Sequence, residues 1–197
     1  MATVGLDQLY YAKITEDDKG METYATPVSL ARAIRADFSI ELLEAILYAD
    51  DGAAYTIKDF KSGTLTLEVD DIGVTTAADL TGATVDKNGV LISTADANRP
   101  PVAIGFRAQK ADGRYRYIWI YRVVFGLPTT NFQTKGDSIT FNTPTIEGTI
   151  MRRNKLDSRG KHPWKAEVTE GDAGVGAGVI DGWYTTVYEP EFEVATP

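Results

Sequence analysis

The 197-residue chain contains no cysteine and a single histidine, and it carries 20 bases against 28 acids. The first absence excludes disulfides, thiolate metal sites and cysteine nucleophiles, and with them any sign of life in an oxidising compartment. The second leaves His162 to carry any histidine-dependent catalysis. A shortage of positive charge, with a formal net of −8 and a pI near 4.7, argues against a protein that grips nucleic acid by neutralising phosphates. Long apolar runs are missing too. The stretches 117–121 and 123–127 are separated by Arg122 and fall short of the ~18 residues that a membrane helix needs. The opening MATVGLDQLYYAKI has no basic segment followed by an apolar one, so the expectation is a soluble protein without a secretory leader, made and used in a cytoplasm.

What is present suffices for a core: 43% of the residues are hydrophobic, over a length that suits one domain spanning residues 1–197. The periodicity is that of strands. In 63–71 (GTLTLEVDD), Leu65, Leu67 and Val69 alternate with Thr64, Thr66, Glu68 and Asp70. Residues 114–125 (RYRYIWIYRVVF) alternate again, placing Tyr115, Tyr117, Trp119, Tyr121, Val123 and Phe125 on one face; the Ile and Val residues opposite imply that both faces are covered. A strand at 101–110 joins it through the Ala111-Asp112-Gly113 turn. Further strands are expected at 138–153, bent or bulged at Pro144 and Gly148, and in a hairpin of 33–48 and 54–60 around Asp50-Asp51-Gly52. Helical signals are short: 76–80, capped by Thr75 or Thr76, and 180–188. The fold class is therefore mainly β, an antiparallel sandwich or barrel with one or two short helices.

Charge is segregated along the chain. Residues 1–99 carry −9, residues 100–165 carry +8, and residues 166–197 carry −7 with no base. Such blocks cancel either inside the fold or between copies, an acidic surface of one meeting a basic surface of the next. Two polar loops, 126–137 and 154–163, are long enough to serve binding.

Chemistry is hard to find. His162 lies beside Lys161 with no carboxylate to orient it, and no G-x-S-x-G elbow occurs. The glycines 174, 176 and 178 miss the dinucleotide pattern, because Val179 stands where its last glycine belongs. The pairs Asp17-Asp18, Asp50-Asp51 and Asp70-Asp71 lack calcium-loop spacing. The Arg and Tyr residues of 114–122 do not follow the order of an RNA-binding strand. No catalytic, cofactor-binding or metal-binding residue is assigned, and the reading is a non-enzymatic interaction or assembly protein.

Several blocks carry a family likeness: the opening MATVGLDQLYYAKITED, LYADDGAA at 47–54, FKSGTLTLEVDDIG at 60–73, DLTGATVDKNGV at 79–90, YRVVFGLPTTNFQTKGDSITFNTPTIEGTI at 121–150, and KHPWKAEVTEGD at 161–172. In the same order over nearly the whole chain, they resemble the major tail proteins, or tail tube proteins, of long-tailed, siphovirus-type bacteriophages. The resemblance implies a β-sandwich subunit that forms six-membered rings, stacked head to tail into a tube whose inner β-barrel conducts the genome into the host. Its implied partners are other copies of itself and the tape-measure, tail-terminator and tail-tip proteins. Duplex DNA passes without specific binding, no membrane or cofactor takes part, and the protein is found in the virion after assembly in the bacterial cytoplasm. Candidate lumen-facing acids are Asp50, Asp51, Glu68 and Asp70. Candidate contacts between subunits are Asn131, Lys135, Arg152, Arg153, Lys155, Glu189, Glu191 and Glu193, the last three in an extended arm at about 189–197. The competing reading is a tail-tip or carbohydrate-binding β-sandwich that stops at a discrete oligomer.

Overall fold

Strand β9 (Tyr115–Phe125) is apolar on both faces and so needs cover on both, and the rest of the chain supplies it. A computed structural model describes residues 2–18, 20–49, 52–134, 141–176 and 178–192. In it β9 lies inside a nine-stranded antiparallel sheet. On one side it pairs with β8 (Val102–Lys110), which pairs with β1 (Thr3–Glu16). On the other side residues 116–120 pair with β11 (Lys165–Thr169) and residues 123–125 with β10 (Thr145–Ile150). The order then continues from β10 to β5 (Gly52–Val69) and β4 (Ala33–Ala49), while the short β2 (Glu22–Tyr24) and β3 (Val28–Ala31) sit on the far edge of β1. The sheet curls until β4 approaches β1.

The concave side holds the main core, with Leu9 and Tyr11 from β1, Leu65, Leu67 and Val69 from β5, Val102 and Ile104 from β8, and Ile146 and Ile150 from β10. Helix α1 (Val74–Thr81) plugs it with Leu80. A two-stranded ladder, β6 (Thr84–Val85) with β7 (Leu91–Ile92), follows the helix. On the convex side Tyr117, Trp119 and Tyr121 are covered by Trp183 and Val187 of the carboxyl-terminal segment. The Trp119 indole N–H donates to the Trp183 carbonyl at 2.9 Å, which fixes that cover in place.

Simple alternation misassigned two residues of β9. Val102 pairs with Val123 but Ile104 with Ile120, so β9 carries one extra residue near Tyr121-Arg122. A one-residue bulge flips every side chain beyond it to the other face. Val123 and Phe125 therefore join Ile118 and Ile120 in the main core instead of following Trp119 and Tyr121.

Other expectations are corrected as well. The strands at 54–60 and 63–71 are one continuous strand, β5, and the strand expected over 138–153 is confined to β10, with 138–140 outside the described residues. Gly148 is no bulge. It keeps register opposite Leu65, and a side chain there would meet Val123 Cγ1 at 2.6 Å and Phe125 Cδ1 at 2.8 Å. Helix α1 begins at Val74 behind Gly73, which offers no side-chain cap. Residues 180–185 form successive turns, followed by a bend at 186 and irregular chain at 187–188, because Gly182 and the run Thr185-Thr186-Val187 disfavour helix while Trp183 and Val187 are committed to the convex core.

Gly105 of β8 shows how closely that convex core is packed: a Cβ there would stand 2.7 Å from carbons of the buried Trp119 ring. We expect Gly105→Ala to cost about 1–3 kcal/mol, the usual penalty of overpacking, seen as a lowered denaturant midpoint.

Candidate assembly surface

The ladder between β10 and β5 covers only residues 63–68 of β5. Beyond Gly63 toward the β4–β5 connection, the two strands pair only with each other among the described residues, so their distal halves form a two-stranded ribbon. Lys61 is an extra residue that rephases β5 there, because Glu41 pairs with Ser62 while Leu42 pairs with Phe60. One face of the ribbon carries Leu42, Ile46 and Tyr48 around a Glu44–Lys58 ion pair of 3.2 Å. The opposite face carries Leu43, Ala45 and Leu47 across from Ile57 and Tyr55, with Asp59 as its acid.

These apolar side chains are open to solvent: Leu43 is 55% exposed, Leu47 59%, Ile57 60% and Tyr55 71%. An isolated hairpin is marginal in water, and covering each half-exposed Leu or Ile would contribute roughly 1–2 kcal/mol. The outer edge of β4 pairs with nothing among the described residues, which leaves a long row of backbone donors and acceptors free to template another strand. Contiguous exposed apolar area beside such an edge marks an association surface.

Of the four acids proposed for a lumen, two lie among the described residues. Glu68 accepts a hydrogen bond from Thr143 Oγ1 at 2.6 Å, and Asp70 accepts from the Arg32 N–H at 3.0 Å, both near the root of the hairpin. Asp50 and Asp51 lie outside the described residues.

Three candidate contact residues instead meet one another within the subunit. Arg153, 1% exposed, donates to Glu189 Oε2 at 2.8 Å and lies over the Tyr121 ring at 4.7 Å, while Lys155 reaches Glu189 Oε1 at 3.0 Å. At this point the basic and acidic blocks cancel inside one fold. The expected arm from Glu189 is held back on its own subunit as far as Phe192, whose ring lies 3.4 Å below the Arg159 guanidinium. Glu191 and Asn131 are exposed, the latter next to Phe132 at 90% exposure, and Arg152 is exposed. Lys135 and Glu193 lie outside the described residues.

No protein-family model matches the chain, and no curated protein matches it. Solved structures do. The chain is similar to the tube-terminating cap of the anti-feeding prophage, at 9% identity and a TM-score of 0.41 over 86% of this chain and 93% of that one. It is similar to a chain of the sheath–tube complex of an extracellular contractile injection system in the extended state, at 8% identity and a TM-score of 0.40 over 84% and 90%. A chain of the six-fold-symmetrised anti-feeding prophage baseplate follows, at 6% identity and a TM-score of 0.35 over 85% and 97%.

Sequence reasoning missed the clamp that shapes the surface beside the ribbon. Glu22 is fully buried; its Oε1 accepts from Arg122 Nη1 and its Oε2 from the Asn154 N–H at 2.9 Å. Glu16 shares the same guanidinium nitrogen. Burial alone would pull the Arg122 pKa down, yet the hydrogen bonds it donates to Glu16 and Glu22 outweigh burial and hold it above its ordinary value. The signal was there in Arg122, a charge inside an apolar strand that must find an acid. His162 is exposed and its Nδ1 lies 2.9 Å from the Arg153 carbonyl oxygen, a structural tie. Among the described residues no group of three His, Cys, Asp or Glu is placed to hold a metal ion. Among the described residues no helix is long and apolar enough to cross a membrane. We expect Glu22→Ala to cost about 3 kcal/mol in chemical denaturation by stripping the half-buried Arg122 and the Asn154 N–H of their acceptor, whereas Asp18→Ala on the neighbouring exposed turn shifts the midpoint little.

Proposed function

We propose that this chain is a structural tail subunit of the siphovirus major-tail-protein type, which associates with copies of itself into rings, six-membered by the family likeness, and stacks them into the tube that conducts the genome. The observation that carries this reading is the distal β4–β5 ribbon, apolar on both faces and free at its β4 edge. Side-by-side pairing of such ribbons around a closed ring removes the edges and covers the apolar faces in one step. Head-to-tail contacts of one surface with a different one then propagate as a filament. Tape-measure, terminator and tip proteins complete the particle in this reading, and no substrate or cofactor is needed. The net charge of −8 per subunit disfavours retention of phosphates, so DNA slides through the channel.

Concentration-dependent sizing and electron microscopy of the purified chain test this. Rings or open-ended tubes are expected for the native sequence. Leu43→Ser/Leu47→Ser/Ile57→Ser should abolish them while leaving the thermal midpoint unchanged, since those side chains support no core. A native protein that stays monomeric, or stops at a closed small oligomer as a receptor-binding module would, overturns the reading.

A further inference from the structure

The segment that covers the convex face, residues 178–192, is attached unlike the rest of the chain. It joins no strand ladder, and among the described residues its backbone–backbone hydrogen bonds are local, such as the Gly182 N–H to the Gly178 carbonyl and the Trp183 N–H to the Ile180 carbonyl at 3.1 Å each. Side chains alone tie it to the sheet. The Trp119 indole and the Tyr121 hydroxyl donate to its Trp183 and Tyr188 carbonyls at 2.9 Å, and Tyr184 stacks on Tyr10 with 4.6 Å between ring centroids. Glu189 accepts from Arg153 and Lys155. Between β11 and this segment, Gly174 and Gly178 hold φ values of +88° and +83° with open space where a Cβ would stand, a backbone free to swivel.

The contact is also incompletely satisfied. Tyr24 Oη and Arg153 Nε on the body, and Trp183 Nε1 and Tyr184 Oη on the segment, are buried without a hydrogen-bond partner, four of the five such side-chain atoms among the described residues. Each gives up water when the contact closes and regains it when the contact opens. An open-sided groove of about 620 Å³, lined by Tyr24, Lys155, Trp183 and Glu189, already brings solvent to the edge of the contact. Arg153, 1% exposed, has Glu189 as its ion-pair partner. Removing that carboxylate leaves a buried cation that recovers hydration by lifting the segment. We propose that residues 178–192 are a latched strap, which swings off the convex face as a unit while the sheet stays folded. Glu189 is the latch, and the closed strap keeps the aromatic row Tyr117, Trp119 and Tyr121 covered. Such a unit opens at a lower free energy than the body unfolds. The strap is independent of the self-association proposed above.

Because the chain has no cysteine, one introduced thiol is its only one, and the rate of its alkylation under native conditions reads how often that site opens. Val187→Cys places the thiol on the buried side of the strap, and Val102→Cys places it in the concave core, both in the full-length chain at low concentration. The thiol of V187C is expected to react about tenfold or more faster than that of V102C, and its rate should rise only shallowly with urea, since little surface is exposed when a strap lifts. Glu189→Gln should speed the V187C reaction about tenfold further. Ile146→Val, which weakens the concave core alone, should speed V102C about threefold or more and leave V187C unchanged. If circular dichroism shows V187C to be misfolded, Ala103→Cys, on the sheet side of the same convex core, takes its place. Equal rates for V187C and V102C, or an equally steep urea dependence, would show that the strap leaves only when the body unfolds and overturn the proposal. An unchanged V187C rate in the Glu189→Gln background would overturn the latch.

Discussion

The structure depends on one constraint: the two-sided apolar strand β9. A strand of that kind cannot sit at a solvated face, so the chain builds cover in both directions. The curled sheet supplies the concave cover through β1, β5, β8 and β10, and the carboxyl-terminal turns supply the convex cover through Trp183 and Val187. Placing Arg122 in such a strand forces the acid pair Glu16 and Glu22 into position, and that pair fastens the segment after β10. The bulge at Tyr121-Arg122 lets one strand serve two cores and still hand its last residues to β10.

Within the body these demands are met. Buried acids have cations, Arg153 has Glu189, and the basic and acidic stretches of the chain neutralise each other where they touch. The ribbon is different: the same two strands that are half buried at residues 63–69 run on with leucine, isoleucine and tyrosine side chains facing water on both sides. Local satisfaction in the body and its failure along a continuous extension divide the molecule into a finished part and a part that, in the proposed reading, is completed by association. Arg152 and Lys161, without an ion-pair partner among the described residues, lie where those two parts meet.

Much of this was legible in the sequence, for identifiable reasons. The β8–β9 hairpin follows from strict alternation and an Asp-Gly turn, and the hairpin of β4 and β5 from its acidic, glycine-containing connection. Bulges were invisible, because an inserted residue changes phase without changing composition; hence the wrong face for Val123 and Phe125. The Leu42-Leu43 doublet, a break in alternation, was the local trace of a ribbon apolar on both faces. Turns at 180–185 imitated a helix because their aromatic residues answer to the convex core and not to a helical period. Charge blocks announced pairing without saying whether it is internal, and Arg153, Lys155 and Glu189 show an internal part that only three-dimensional proximity reveals.

The central claim is that the distal ribbon is completed only by other copies. Hydrogen exchange of backbone amides, compared between dilute subunit and assembled material, tests it most directly. The account predicts rapid exchange at residues 42–48 and 55–60 in the dilute subunit and strong protection after assembly, with β8 and β9 protected in both. Equal protection of the ribbon in the two samples would contradict it.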